Sequence, residues 1–336
     1  MTAPAGSLPS LDVVIVNYRT GPLLVSCLES LAAERTLLPS LRAIVVDNAS
    51  PDNSADVIEA AIAARGWDWV TLLRSPVNGG FGAGNNLGIE WALARPRPAD
   101  LIWLLNPDTR VERGAGLAFA RFMGATPAAG IAGSSLLEAD GRPWHFAFRF
   151  PSVLGEIERG CQWTSVSWLL RKQATPMRMG DACEKVDWVS GASCVMRREL
   201  LASGFRFDEG YFLYYEEVDF CLHARRAGWE CWFVPDSVVL HIAGQSTGVT
   251  DRESKARRLP AYWFESRHRY FVKNHGTLYA MMADLGWIVA HLAYRLKRLV
   301  RPRPTAEPER LLRDFVSHSA LLPRSRRERE RGAIAA

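Results

Sequence analysis

No uncharged apolar run in this 336-residue chain reaches the ~18 residues that a membrane-spanning helix needs, so no clean span is expected. The six cysteines, at positions 27, 161, 183, 194, 221 and 231, contain no Cys-x-x-Cys pair, which excludes the common zinc motifs. A chain this long needs no disulfide framework, and reduced thiols are expected. Met1–Ser10 is an Ala/Pro/Ser stretch without a basic or an apolar segment, unlike a secretory signal, and the cytoplasm is the expected location. Apolar residues at 48% and charged residues at 23% exclude disordered and collagen-like chains. Charge is not strongly of one sign either: the net value is only +5. It is unevenly spread, since Arg295–Arg331 holds 12 Lys/Arg against 5 Asp/Glu and leaves the rest of the chain slightly acidic.

What is present is an alternation of short β-branched runs with helical patterns, the order that builds a mostly parallel sheet flanked by helices. Strands are expected at Asp12–Asn17, Ala43–Asp47, Val70–Arg74 and Leu101–Leu105. Between them lie a helix opened by Pro22, a helix over Val57–Ile62, and the glycine-rich run Gly79–Gly88 leading into a helix that ends near Ala94. Later, Val186–Met196 reads as one strand with small residues in its middle, Glu216–Ala227 as a helix, and Cys231–Val234 and Val238–Ile242 as two last strands. Trp144–Gly180 has little period and reads as an excursion over one side of the sheet.

The four early strands end in polar residues: Asn17/Tyr18, Asp47/Asn48, Asn78, and Asn106/Asp108. Open α/β sheets bind ligands beyond the carboxyl ends of their strands, so four such ends predict one site, although any single Asn or Asp there also suits a cap or turn. Asp108, just past an apolar strand, is placed to hold a hard divalent cation. Glu216, Glu217 and Asp219 open a helix after an aromatic run; the helix dipole accounts for one or two of them, and a carboxylate against an apolar wall has the raised proton affinity of a general base. His241, on an apolar strand end, suits a core histidine or a ligand. Gly82, Gly84 and Gly88 loosely match a dinucleotide fingerprint, but that fingerprint belongs after the first strand, where Asn17-Tyr18-Arg19 stands instead. A Rossmann dehydrogenase is therefore disfavoured. A nucleotidyltransferase would need a basic, glycine-rich phosphate loop at the same place, and none is seen.

In order along the chain, Val14–Tyr18, Val46–Ser50, Asn78–Asn86, Asn106-Pro107-Asp108, Trp188–Ala192, Phe207-Asp208-Glu209, Glu216–Asp219 and His241 resemble the family 2 glycosyltransferases, most of all their rhamnosyltransferase-like branch. The resemblance spans residues 11–275. It implies a GT-A fold, a nucleotide-diphosphate sugar donor such as dTDP-rhamnose, a divalent cation (Mg or Mn), inversion at the anomeric carbon, and a glycan or polyprenyl-linked acceptor of the cell envelope. By the same resemblance Asn17, Asp47, Asn78 and Gly82 line the nucleotide pocket, and Asn85 and Asn86 sit near ribose or sugar. Asp108 is the last acid of an Asp-x-Asp metal motif whose first position is here Asn106, and His241 completes the coordination. Glu217, beside Glu216, stands where the family has its catalytic base, an aspartate. A catalytically degenerate GT-A module that only binds nucleotide-sugars is the alternative, hinted at by Asn106 and the Glu216-Glu217 pair.

The expected organisation is a flexible stretch over 1–10, a GT-A domain over 11–275 with a donor half (11–110) and an acceptor half (111–275), and a helical basic tail over 276–336. In that tail Tyr279–Val300 is apolar but interrupted by Asp284, His291, Arg295, Lys297 and Arg298. It reads as an interfacial helix, with Trp287 and the basic end at lipid headgroups on the inner face of the plasma membrane. Packing on the catalytic domain is the other reading. Nucleic acid is not expected, because no aromatics are interleaved with the arginines.

Overall fold

The computed structural model describes residues 8–138, 140–143, 146–242, 258–300 and 307–322. The chain divides into two compact units. The first comprises Met1–Phe148, Met177–Gly210 and Glu216–Thr247, and the second Arg149–Pro176, Tyr211–Tyr215 and Gly248–Ala336. A boundary at residue 275 would fall inside the second unit.

In the first unit the expected order is seen: β1 (Leu11–Asn17), α1 (Gly21–Glu34), β2 (Arg42–Asp47), α2 (Ser54–Arg65), β3 (Val70–Arg74), α3 (Gly80–Leu93) and β4 (Leu101–Leu105). The chain continues through β5 (Thr109–Val111), α4 (Ala115–Ala125), β6 (Ala129–Leu137) and β7 (Ala147–Phe148). The strands β3-β2-β1-β4 form a parallel block. Asn17 and Asp47 are register partners on its last rung, which brings the polar strand ends together.

The glycine-rich run belongs to helix α3 itself. A Cβ on Gly88 would stand 2.4 Å from Val14 Cγ1, and one on Gly84 2.7 Å from Val16 Cγ1. These glycines let α3 lie against β1, a packing reason for residues that also look like a phosphate loop.

The segment expected as one strand over 186–196 is three: β8 (Glu184–Val186), β9 (Trp188–Val189) and β10 (Ser193–Arg197), broken at Ser190-Gly191-Ala192. β10 runs antiparallel between β4 and β6, with Ser193 opposite Leu105, so its start lies at the C-terminal end of β4. The space over Gly191 holds the Phe81 ring, 3.1 Å from where a Cβ would be. After α7 (Arg198–Ala202) and α8 (Glu216–Arg226), the two expected last strands are one, β11 (Glu230–His241), with an irregular register between Val234 and Val238. β11 pairs parallel with β6 and antiparallel with β5, setting His241 opposite Thr109. All six cysteines are free. Burial pushes the Cys27 thiol up to about 12, consistent with an inert core residue.

The second unit is helical: α5 (Val153–Cys161), α6 (Thr164–Leu169), α9 (Ala261–His275), α10 (Thr277–Val300) and α11 (Leu311–Ser317). Gly160 and Gly286 let α5 and α10 close on each other, since a Cβ on Gly160 would meet the Trp287 carbonyl at 2.7 Å. At its centre Arg267 is buried between two carboxylates, donating to Glu156 Oε2 (2.9 Å from Nη2) and Asp284 Oδ1 (2.5 Å from Nη1). Glu156 also accepts from Arg159, and Asp284 from the Ala320 N–H at 2.6 Å. Trp287, expected at lipid headgroups, is 2% exposed and stacks on Phe315 and His291. The Arg324–Arg331 run lies outside the described residues.

Candidate functional site

Three clusters gather at the C-terminal edge of the first unit's sheet. At the ends of β1 and β2, Asn17 donates from Nδ2 to Asp47 Oδ1 (2.7 Å) and to Ser50 Oγ (3.2 Å). The Ser50 N–H donates to Asp47 Oδ2 (3.1 Å), and the Arg19 N–H to Ser50 Oγ (3.0 Å). Ala49 and Arg19 both take left-handed backbone conformations, φ 55° and 60°, which side-chain-bearing residues rarely adopt outside over-determined sites. Next to them Asn48 donates to Asn78 Oδ1 and to the Gly80 carbonyl, both at 3.0 Å, fixing the turn before α3. Asp47 and Asn17 are thus held rigidly and nearly buried at strand tips. Asn48 and Ser50 are part of this lattice although neither is singled out above as a site residue. Their signal is the Asp-Asn-x-Ser spacing directly after an apolar strand.

The second cluster joins β4, β5 and β11. His241 Nε2 lies 3.4 Å from Asp108 Oδ1 and 3.4 Å from Asn106 Nδ2, and its Nδ1 is sealed from solvent with no hydrogen-bond partner among the described residues. The Ile242 N–H donates to the Asp108 carbonyl (2.9 Å), locking the two chain segments. Adjacent ligands of a small divalent cation, each ~2.1 Å from it, stand ~3 Å apart, so the Asp108 oxygen and His241 nitrogen have the spacing of such a pair. Among the described residues no third His, Cys, Asp or Glu completes a metal-binding group with them. A carboxylate and an imidazole alone suit a cation that takes its remaining ligands from a substrate diphosphate and water.

The third cluster is the start of α8. Glu216, Glu217 and Asp219 fill its first turn, where the helix dipole favours negative charge. Glu217 differs from an ordinary helix-start acid: its Oε2 is sealed from solvent and has no hydrogen-bond partner among the described residues. Burial pushes its carboxyl up to about 7, against the opposing pull of the backbone N–H groups of Glu217, Gly191 and Val218. The Asn106 N–H donates to the Ala192 carbonyl (2.9 Å), so the Gly191 segment beside Glu217 is stitched to the Asn106–Asp108 loop.

Two other expected site residues are occupied elsewhere. Asn86 donates to the Phe207 carbonyl and to Glu209 Oε1 and accepts from the Phe207 N–H, each at 2.9 Å, tying α3 to the Phe207–Glu209 turn. Asn85 is buried and donates to the Phe81 carbonyl one turn back in the same helix. Gly82 faces Phe207, with 3.1 Å left for a Cβ.

The family model described as "Glycosyltransferase like family 2" matches residues 9–258. The chain belongs to this glycosyltransferase family. Within it, the N-acetylglucosaminyl-diphospho-decaprenol L-rhamnosyltransferase of Mycobacterium tuberculosis (strain ATCC 25618 / H37Rv) is 29% identical over 300 residues, 85% of this chain and 89% of that protein. The rhamnosyltransferase WbbL of Escherichia coli (strain K12) is 28% identical over 169 residues, 49% of this chain and 61% of that protein. Among solved structures, mannosyltransferase PcManGT from Pyrobaculum calidifontis, in complex with GDP-Man and Mn2+, aligns with a TM-score of 0.55 at 14% identity. That alignment covers 96% of this chain and 83% of that one. S. aureus TarS 1-349 in complex with UDP-GlcNAc gives 0.53 at 13% identity, over 92% and 79%. The fold of this family 2 glycosyltransferase is therefore GT-A: a mostly parallel sheet flanked by helices.

Proposed function

We propose that this glycosyltransferase moves a deoxyhexose of the rhamnose class from a nucleoside diphosphate to a hydroxyl of a lipid-linked glycan, with inversion in a single displacement. The observation that carries the mechanism is Glu217, whose Oε2 is sealed from solvent without a hydrogen-bond partner among the described residues and whose proton affinity burial has raised to near neutrality. Glu217 takes the proton of the acceptor hydroxyl as its oxygen forms the bond to the anomeric carbon. The bond from that carbon to the diphosphate oxygen breaks on the opposite side, and the nucleoside diphosphate leaves. The Asn17–Asp47–Ser50 lattice orients the nucleoside, with Asn78 fixing its wall through Asn48. We place Gly82, Asn85 and Asn86 behind that wall as packing and positioning residues.

Asp108 and His241, with Asn106 beside them, would hold a divalent cation. When bound it neutralises charge growing on the diphosphate. The rhamnose and lipid-linked assignments draw on the names of the two relatives above, one of which acts on a diphospho-decaprenol-linked sugar.

The test is nucleoside diphosphate release across a panel of sugar donors with Mg²⁺ or Mn²⁺ and a polyprenyl-diphosphate N-acetylglucosamine acceptor. Acceptor-dependent release with dTDP-rhamnose is expected. Donor binding without release on any donor and acceptor would instead make the chain a binding module.

A further inference from the structure

The helix α10 is apolar on two sides. Its inner side, with Ala280, Ala283, Trp287 and Ala290, is buried within the second unit. Its outer side carries Leu278, Met282, Leu285, Val289, Leu292, Leu296 and Leu299, spaced alternately four and three residues apart, and each is between 46% and 80% exposed. Spacing of this kind keeps all seven on one stripe along roughly 32 Å of helix at ~1.5 Å per residue. Asp284 and His291, which interrupt the apolar run in sequence, both point inward and are buried, so the outer stripe has no charge before Arg295. Exposed contiguous apolar surface of this extent marks an interaction site.

We propose that the outer face of α10 rests in the headgroup and upper acyl region of an anionic phospholipid bilayer, with Arg295 and Lys297 at the phosphates. Charge chooses the occupant. A second copy of the chain is the rival, because a seven-residue repeat with leucine at 278, 285, 292 and 299 also suits a coiled-coil seam. A parallel pair would set Arg295 of each copy near its counterpart. An antiparallel pair would bring the basic end against Thr277-Leu278-Tyr279, which has no acid. The one acidic residue of α10, Asp284, is already engaged by Arg267. An anionic lipid surface supplies the missing negative charge, and the absence of a spanning helix among the described residues fits a helix lying in the interface. The inference gains its purpose from the proposed lipid-linked acceptor, but its test needs no turnover, so either can fail alone.

The test is co-sedimentation of the full chain with phosphatidylcholine vesicles, with and without phosphatidylglycerol. Binding to the phosphatidylglycerol vesicles is expected. The double variant Leu285→Asp/Leu292→Asp, both at exposed positions, should lower that partitioning by roughly tenfold or more at an unchanged melting temperature. The variant Arg295→Gln/Lys297→Gln, which keeps the stripe intact, should lose its preference for phosphatidylglycerol. Absence of wild-type binding, or equal binding by the aspartate variant, overturns the proposal. So does a wild-type dimer in sedimentation velocity that the aspartate variant dissolves while vesicle binding stays at background.

Discussion

Glu217 in the first unit and Glu156 in the second are both glutamates near the start of a helix with buried carboxyls, yet their proton affinities move in opposite directions. Burial pulls Glu156 upward, but the guanidiniums of Arg159 and Arg267 overcome it and hold the carboxyl below its usual range. At Glu217 the opposing pull comes from backbone N–H groups, and burial wins, taking it to about 7. Burial alone therefore does not fix the direction of the shift; the balance between burial and the charges facing the carboxyl does. One carboxylate is ion-paired between helices, and the other keeps the raised proton affinity that the proposed base requires.

The largest effect that would break this contrast is at Glu217. Glu217→Gln is expected to lower kcat by about 10³–10⁴-fold while leaving donor affinity and melting temperature near wild type, read by diphosphate release and calorimetry. Turnover close to wild type would remove Glu217 from the mechanism. At the other pole, Arg267→Met strands Asp284 and weakens Glu156, with an expected loss of about 3–5 kcal/mol in denaturant unfolding. A loss under 1 kcal/mol would mean that the cluster is not what holds α5, α9 and α10 together.

Asp108→Asn should weaken metal-dependent donor binding about tenfold or more and leave metal-free binding unchanged, because the proposed cation site has a single carboxylate. The pH profile sharpens the contrast further. Glu217 must be ionised to act, so kcat/KM should fall as pH drops through about 7, by about tenfold per unit once well below it. The stability signs are opposite. Raised proton affinity at Glu217 makes the folded protein lose stability as pH rises from the ordinary glutamate range through about 7. Depressed affinity at Glu156 gives stability present above that range and lost as pH falls through the folded value. The smallest effect is at Asp12, buried at the far end of β1 and ion-paired to Arg95 at 3.3 Å, where burial outweighs the pull of Arg42 and pushes the carboxyl up to about 6. Asp12→Asn should raise stability at pH 7 by about 1 kcal/mol and flatten its pH dependence between 4 and 6.

The parallel half of the fold was legible because each element has a local cause: β-branched runs, Pro22 at a helix start, and polar residues at strand tips. The positions of Asp47, Asp108, Glu217 and His241 could be read for the same reason, since each adjoins a strand or helix end with a clear pattern. Of the second unit the helix over 279–300 was legible, but its packing was not. Glu156, Arg267 and Asp284 lie far apart in sequence, and each alone reads as a surface charge. Asp284 even counted against an apolar face that it does not share, because a linear run of residues does not say which side of a helix a charge occupies. Gly84 and Gly88 are ambiguous in another way. The demand for close approach to Val14 and Val16 uses the same residue as a phosphate loop does. Joining β11 across residues 235–237 needed the sheet itself, whose neighbours accept a three-residue irregularity that sequence alone reads as a turn.

That irregularity works as a length gauge. Ser237 is pinned by its hydroxyl to Ser134 (2.8 Å), which meets Ser193 (2.6 Å), which in turn accepts from the Trp103 indole N–H (2.9 Å). From Ser237 the strand needs four more residues to reach His241, and in a strand every odd step changes face. Insertions or deletions between Val238 and Leu240 would turn the imidazole away from Asp108 when they add or remove one residue and return it when they add or remove two. Tolerance to length change in this stretch should therefore alternate with parity, a pattern that a scan of single and double deletions would expose without any knowledge of the reaction.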